Sequence, residues 1–211
     1  MLTTSQARSI AIMLALIFGL AAALPAQNAL SNPELDAPVY FDGWQLYWGT
    51  HLDWTSADSD GCPSSGAGQI QSAPFDTGAE WGVATQCVAV DPASWPYGLH
   101  GSFRYSSGIA SLAYIVFFYY SDSLCGWGGG TDLGFDSADG PTGPGWHSAS
   151  LSVFPLPAGI GSVAVGIGGD GGAGNTIEFL FDRAYFGGIP RILSDGFETD
   201  ASTCRWSATV P

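Results

Sequence analysis

The sequence has no lysine, and all five of its basic residues are arginines. Nineteen aspartates and glutamates oppose them, which gives a formal net charge of −14 at pH 7. A chain with this charge repels phosphate backbones and anionic lipid head groups. Nucleic acid and anionic membrane surfaces are therefore disfavoured as partners, whereas neutral glycans, cationic surfaces and divalent cations stay open.

Long apolar runs are also missing, except at the N-terminus. Arg8 precedes an apolar stretch over residues 10–23, and Leu24-Pro25-Ala26 offers a small residue for cleavage. The stretch is shorter than the ~20 residues that a membrane-spanning helix needs. These features predict a cleavable signal peptide over residues 1–26, with no membrane insertion after cleavage. A retained N-terminal anchor is the alternative.

No segment has long helical periodicity. Short β-branched and aromatic runs alternate instead with Gly, Pro, Asp and Ser, which is typical of an antiparallel sandwich. Both faces of the segment 112–120 are apolar, which predicts a strand inside a sheet. Glycine-rich loops are expected at 58–66, 126–145 and 168–174. The sequence thus predicts an all-β chain with two antiparallel sheets and strands at 43–48, 52–55, 68–72, 85–90, 97–105, 111–120, 148–154, 162–167 and 176–186.

Several short motifs occur in an order that resembles a known family. They include Gly43-Trp44, Gln86-Cys87-Val88-Ala89-Val90, Tyr97-Gly98-Leu99, Pro157-Ala158-Gly159 and Phe181-Asp182-Arg183-Ala184-Tyr185-Phe186. This order resembles the galactose-binding-like jelly roll, especially the carbohydrate-binding-module type of bacterial secreted proteins. The resemblance covers residues 37–188, with residues 27–36 as a linker. The tail 189–211, with Asp195-Gly196-Phe197-Glu198 and Trp206, is similar to a C-terminal motif of secreted Gram-negative proteins; a brief extra strand is the alternative.

The resemblance implies a non-catalytic module that binds a glycan or a cell-surface component outside the cell or in the periplasm. It also implies a structural calcium, with Asp182 as one ligand and Asp42 as its N-terminal partner. Cys87 and Cys125 match the family's paired positions and are expected to form a disulfide. Cys62 then pairs with Cys204 or stays free.

Catalytic machinery is not evident in the sequence. There is no GxSxG motif, and His51, His100 and His147 are expected to be surface or capped residues. Glu80 and Glu178 do not stand out as a glycosidase pair. Zinc is disfavoured because no CxxC or close Cys/His spacing occurs. The carboxylates Asp53, Asp58 and Asp60 are either solvated turn residues or a calcium loop. Asp170 lies in a single glycine-rich segment, which cannot stack like a calcium-binding repeat.

The eight tryptophans are the main functional signal. An indole buries apolar C–H surface when it stacks on a sugar ring, while nearby polar side chains bind hydroxyls. Trp44, Trp54 and Trp146 are expected to be structural, whereas Trp48, Trp81, Trp95 and Trp127 are the predicted ligand contacts; their alternative role is to plug the ends of the sandwich. The possible polar neighbours are Tyr97, Asp132 and Asn175.

Together these features predict a secreted, non-catalytic carbohydrate-binding or adhesion module. A structural or protein-interaction domain of the cell envelope is the alternative. A glycoside hydrolase of unrecognised type is the third reading.

Overall fold

The computed structural model describes residues 28–32, 35, 41–59, 61, 65–74, 78–91, 97–108, 110–153 and 156–188. Regular secondary structure in these ranges is entirely β. Within them no helix is long and apolar enough to cross a membrane. The predicted signal peptide and C-terminal tail, together with Asp60, Cys62, Trp95 and Cys204, lie outside the described residues.

In the described residues eleven strands form two antiparallel sheets; the two sheets were predicted, but with nine strands. Sheet A has the order β1-β5-β10-β7-β8, with β4 also paired to β5. Sheet B has the order β2-β3-β11-β6-β9. The strands are β1 Trp44–Trp48, β2 His51–Thr55, β3 Ala67–Gln71, β4 Ala73–Pro74, β5 Ala79–Ala89, β6 Tyr97–Ser107, β7 Leu112–Tyr120, β8 Asp132–Gly140, β9 His147–Val153, β10 Ser162–Ala173 and β11 Glu178–Gly188.

The main core fills the space between the sheets. Alternate residues of β7, including Ile115 and Phe117, point into it and are almost fully buried. They meet aromatic residues of β11, where the rings of Phe117 and Phe186 lie edge to face with centroids 5.5 Å apart. Trp44 is also part of this core, and its ring lies 5.0 Å from that of Phe181. The period-two pattern of the strands thus produces one face that packs on the opposite sheet.

The predicted linker contacts the sandwich where it is described. The Asn28 side chain donates to the Ala184 carbonyl and accepts from the Phe186 amide, at 2.9 and 3.0 Å. Leu30 and Leu35 are buried in the core. These residues therefore help to close the end of sheet B next to β11.

Two of the predicted glycine-rich loops were wrong. The segment expected as a loop at 126–145 contains β8, an edge strand that lacks β-branched residues and has mostly exposed side chains. It forms because β7 offers a free row of backbone donors and acceptors, which does not depend on side-chain type. The segment 168–174 is largely the end of β10, where glycines are held between β5 and β7.

Candidate functional site

The outer face of sheet A forms an aromatic groove with a volume of about 410 Å³. The outward-facing residues of β7 form one side of the groove, and among them Tyr114 and Val116 are nearly as buried as the core. No second layer of protein covers this face in the described residues. We call it the sheet A groove, and it is lined by Tyr47, Trp48, Trp81, Val83, Leu112, Tyr114, Val116, Phe118, Phe135, Ser137, Asp139 and Asp170.

The floor of the groove is formed by glycines of the central strand β10, which have no side chains to fill it. Gly166 lies between Thr85 and Val116 in the sheet, and Gly168 lies between Val83 and Tyr114. A Cβ on Gly168 would lie 2.8 Å from Cζ of Tyr114, so the tyrosine ring occupies the space that a side chain would take. The larger residues of β5 and β7 therefore stand as walls on both sides of β10.

A β-bulge places two aromatic residues of β1 on the same wall. Leu46 pairs with Ala84, whereas the next paired residue, Trp48, is opposite Val83, so Tyr47 is the extra residue. A bulge of this kind breaks the alternation of faces. Both Tyr47 and Trp48 consequently line the groove, although strict alternation would separate them.

Aromatic contacts connect the walls at both ends of the groove. At one end the rings of Trp81 and Tyr114 are tilted, with centroids 6.1 Å apart. At the other end Tyr47 stacks on Phe118 with centroids 4.9 Å apart. Phe118 also contacts Phe135, which is 66% exposed. The two ends therefore present aromatic surfaces to solvent across a floor of small residues.

The groove has few polar groups, and its charged groups are two carboxylates. Ser137 and Asp139 project from β8, and Asp170 lies next to Trp81 in β10. The Asp170 carboxylate accepts a hydrogen bond from the Gly172 amide. Among the described residues, no arginine or histidine lines this groove. Its electrostatics therefore suit hydroxyl groups or cations and oppose anionic ligands.

The structure brings two of the four predicted contact tryptophans together. Trp48 and Trp81 both line the sheet A groove, and the Trp48 indole Nε1 donates to the Ala73 carbonyl at 3.4 Å. Trp127 lies outside the groove, in the loop between β7 and β8, and is 79% exposed. Trp95 falls outside the described residues. The assignment of all four as ligand contacts remains a prediction.

The tryptophans expected to be structural are held by the protein. Trp44 is in the core, and Trp54 packs against it while its Nε1 donates to the Leu35 carbonyl at 2.9 Å. Trp146 is half-buried on the side of sheet B, with the Arg104 guanidinium 5.2 Å from its ring centre. Tyr97 stacks on Phe186 and is also part of sheet B, so it lies away from the sheet A groove.

Most of the residues that line the groove were not predicted from the sequence. Tyr47 and Phe135 were not singled out, and Phe118 was noted only as part of a strand with two apolar faces. That double apolar face was the available signal. In a sandwich of two layers the outward face of a strand has no opposing sheet, so continued apolar residues there need a ligand, a partner or a covering loop.

A second site surrounds Asp182 in sheet B. This carboxyl group is 0% exposed, and it accepts hydrogen bonds from the backbone amides of Ser59 and Arg183 at 2.9 and 2.7 Å. Burial, reinforced by the charge of Asp58, raises the pKa of Asp182 to about 7 despite these hydrogen bonds. The Ser59 hydroxyl is buried beside this carboxylate. It makes no hydrogen bond of normal geometry to any of the described residues.

This second site has the oxygen donors that calcium prefers. A cation would be held by the carboxylates of Asp182 and Asp58, with the Ser59 hydroxyl beside them. The described residues contain no group of three or more Asp, Glu, His or Cys side chains that could hold a metal. The predicted partner Asp42 is exposed, and its backbone carbonyl accepts a hydrogen bond from Gln86 of sheet A. The carboxylate whose charge acts on Asp182 is therefore that of Asp58.

The remaining candidate catalytic residues have structural partners. His51 Nε2 lies 3.4 Å from Asp53 Oδ2, His100 is hydrogen-bonded to Ser150, and His147 to the Gly143 carbonyl. The carboxylates Glu80 and Glu178 accept hydrogen bonds from Ser72 and Ser106 respectively. None of these residues lines the sheet A groove.

The expected disulfide is confirmed. Cys87 of β5 and Cys125 of the loop after β7 are bonded, with Cα atoms 5.9 Å apart. The bond connects two segments separated by 38 residues in sequence, so it fixes the start of the β7–β8 loop against sheet A.

The fold is shared with solved structures, although no protein-family model and no curated protein matches the sequence. The CBM22-1 xylan-binding domain of Paenibacillus barcinonensis Xyn10C is 14% identical, with a TM-score of 0.52 over 77% of this chain and 94% of that domain. An arabinose-bound α-L-arabinofuranosidase is 14% identical with a TM-score of 0.52, over 76% of this chain and 26% of the enzyme.

A third similar structure is the enzymatically active domain of tailspike protein 4 from bacteriophage CBA120. It is 14% identical with a TM-score of 0.50, over 76% of this chain and 21% of the tailspike chain. The chain thus spans about a fifth of the tailspike and about a quarter of the arabinofuranosidase. At this identity the likeness establishes the fold, which is the β-sandwich found in carbohydrate-binding modules.

Proposed function

We propose that this protein is a non-catalytic carbohydrate-binding module and that the sheet A groove holds a neutral glycan. The observation that carries the proposal is the uncovered aromatic face of sheet A, with Trp48 and Trp81 on its β1 and β5 side. Sites for small ligands are typically concave and mostly apolar, with a few polar groups that fix the orientation of the ligand. The groove has this character, and its volume of about 410 Å³ lies within the range of such sites.

The chemistry of the groove favours uncharged sugars. Pyranose rings have apolar C–H faces that can stack on the indoles, and removing this surface from water contributes roughly 25 cal/mol per Å². Ser137, Asp139 and Asp170 offer acceptors for sugar hydroxyls at the edges. A uronic acid or a sulfated sugar would place its negative charge close to the two carboxylates, which raises the electrostatic cost of binding.

The similar structures support this class of ligand. One is a xylan-binding domain, of which the match covers 94%. Another is a protein with bound arabinose. The arabinofuranosidase and the tailspike domain act as enzymes, so a hydrolase remains the competing class. That alternative depends on Asp139 and Asp170, the carboxylates of the groove, and predicts turnover that is lost in Asp139→Asn and Asp170→Asn.

A glycan array tests the proposal most directly. We expect binding to neutral glycans that is lost in the double variant Trp48→Ala/Trp81→Ala. Trp146→Ala is the matched control, because it removes a half-buried indole from the other sheet and should retain binding. If the double variant binds the same glycans as strongly as the wild type, the groove is not the glycan-binding site.

The second candidate role is that of a structural or protein-interaction domain of the cell envelope. It is favoured by the predicted signal peptide and by the predicted tail motif over 189–211. In that case the protein should be released from the cell surface when the tail is deleted, whereas no neutral glycan on the array should bind. Both roles place the protein outside the cell or in the periplasm of a Gram-negative bacterium.

The proposal includes a structural calcium at Asp182 with Asp58 and Ser59. These residues are in and beside sheet B, whereas the groove is on the outer face of sheet A. Calcium there would neutralise a buried carboxylate and fix the loop that covers it. Repeating the array with a chelator tests whether sugar binding depends on the cation.

A further inference from the structure

The loop between β7 and β8 is organised around a single carboxylate. Four backbone amides donate to Asp122: Oδ1 accepts from Leu124 and Gly126 at 3.3 and 2.8 Å, and Oδ2 from Gly128 and Gly130 at 2.8 and 3.1 Å. These hydrogen bonds lower the pKa of Asp122, so the carboxylate is charged at neutral pH. We call residues 121–131 the Asp122 loop.

The Asp122 loop is also attached to the sandwich. Cys125 is bonded to Cys87 of β5, and its amide donates to the buried Ser162 hydroxyl at 2.9 Å. At the base of the loop, the Ser121 amide donates to the Thr131 carbonyl at 3.0 Å. The loop is therefore ordered before it meets any partner.

This ordered loop exposes two large apolar side chains. Leu124 is 57% exposed and Trp127 is 79% exposed. They are the ends of a tight turn in which the Trp127 amide donates to the Leu124 carbonyl at 3.1 Å. Both central residues of the turn, Cys125 and Gly126, have positive φ values of 50° and 84°. A non-glycine residue in this conformation costs free energy, and such local strain is concentrated at functional sites.

The Asp122 loop continues the aromatic surface of the groove. Tyr120 is the next residue after Phe118 on the outward face of β7. A Cβ on Gly126 would lie 3.1 Å from Cε1 of Tyr120, so the loop backbone rests on this ring. Burial, together with the nearby Tyr47 hydroxyl, raises the pKa of Tyr120. Tyr120 therefore connects the Tyr47 and Phe118 end of the groove with the loop.

We propose that the Asp122 loop is an additional subsite for the polysaccharide chain that occupies the sheet A groove, with Trp127 as the stacking surface. The proposal rests on the proposed function. A neutral polysaccharide is the fitting occupant because the loop adjoins the groove and the chain carries a net charge of −14, which opposes anionic polymers and lipids. Because the loop is already ordered, little conformational entropy is lost when a sugar stacks there.

The test compares a polymer with a short oligosaccharide of the same sugar. Soluble xylan, arabinan, galactan and mannan are screened with the full-length protein, and the polysaccharide that is retained is paired with its trisaccharide. Trp127→Ala should weaken binding of the polymer about fivefold, because the lost contact is one indole stack. Its affinity for the trisaccharide, which the groove alone can hold, should stay unchanged.

Two further variants keep the result interpretable. The groove variant Trp48→Ala/Trp81→Ala should no longer bind the polymer or the trisaccharide. The control variant Trp146→Ala should bind both. If the groove variant loses binding while Trp127→Ala binds the polymer like the wild type, the subsite is refuted and the proposed function stands. If the wild type binds none of the four polysaccharides, or the groove variant still binds, the proposed function fails and the subsite fails with it.

Discussion

The Cys87–Cys125 disulfide allows a quantitative prediction about the β7–β8 loop. We consider two double variants that remove the bond, Cys87→Ala/Cys125→Ala and Cys87→Ala/Cys125→Gly. Both lose the cross-link between β5 and the loop. They differ only at position 125, where the backbone has a φ of 50°.

The disulfide stabilises the folded state because it reduces the conformational entropy of the unfolded chain. For a separation of 38 residues, the loss of loop-closure entropy corresponds to about 4 kcal/mol of stability at 25 °C. We therefore expect the free energy of unfolding to fall by about 4 kcal/mol in the alanine variant. This value is an upper guide, because an unfolded chain that retains some structure loses less entropy when the bond forms.

Glycine at position 125 should recover part of this loss. A non-glycine residue in the left-handed region costs roughly 1–2 kcal/mol. Glycine removes that cost but makes the unfolded chain more flexible, which takes back about 0.4–1 kcal/mol. The glycine variant should thus be more stable than the alanine variant by about 0.5–1 kcal/mol.

Urea denaturation monitored by fluorescence measures both differences, provided that the m-value stays constant. A loss below 1 kcal/mol in the alanine variant would refute the cross-link argument. Equal stability of the alanine and glycine variants would refute the argument from the positive φ of residue 125. Hydrogen exchange at Gly126 and Gly128 would then show whether Asp122 alone holds the loop.

Three further predictions concern the groove and the Asp182 site. Tyr114→Phe should leave the stability unchanged or raise it by up to about 1 kcal/mol, because the buried Tyr114 hydroxyl has no hydrogen-bond partner among the described residues; a clear loss in thermal denaturation would contradict this. Gly168→Ala should lower stability by about 1–3 kcal/mol and weaken glycan retention, since its Cβ would lie 2.8 Å from both the Gly82 carbonyl and the Tyr114 ring; wild-type values in both assays would contradict it. Because the pKa of Asp182 is raised to about 7, the folded protein holds a proton that the unfolded chain has released above about pH 4, so stability should fall as pH rises from about 4 to 7 in chelator. Asp182→Asn should remove that decline, and millimolar calcium should raise the melting temperature of the wild type at pH 8 but not that of the variant.

Much of the fold was predictable from local patterns. The strands over β6, β7 and β11 were expected close to their observed bounds, because alternating and aromatic runs mark a face that packs on another sheet. The disulfide was expected from a resemblance to paired family positions. Strands β8 and the end of β10 were missed, because their pairing depends on the backbone of β7 rather than on their own side chains.

The candidate site was only partly predictable. Trp48 and Trp81 were expected contacts because indoles near turns can remain exposed. Their position in one groove depends on the pairing of β1 with β5 and of β5 with β10, which brings together residues distant in sequence. Trp127 was also expected as a contact, but the carboxylate that orders its loop was not recognised.

The absence of lysine and the excess of carboxylates are properties of the sequence alone, and they disfavour anionic partners in any fold. The alternation of apolar residues also determined which segments would form a sandwich, because each strand must bury one face. Only the tertiary structure decided where the unburied apolar face would lie. A one-residue bulge put Tyr47 beside Trp48, and glycines in β10 left room for Tyr114. Both effects depend on strand register, which is set by contacts between distant segments.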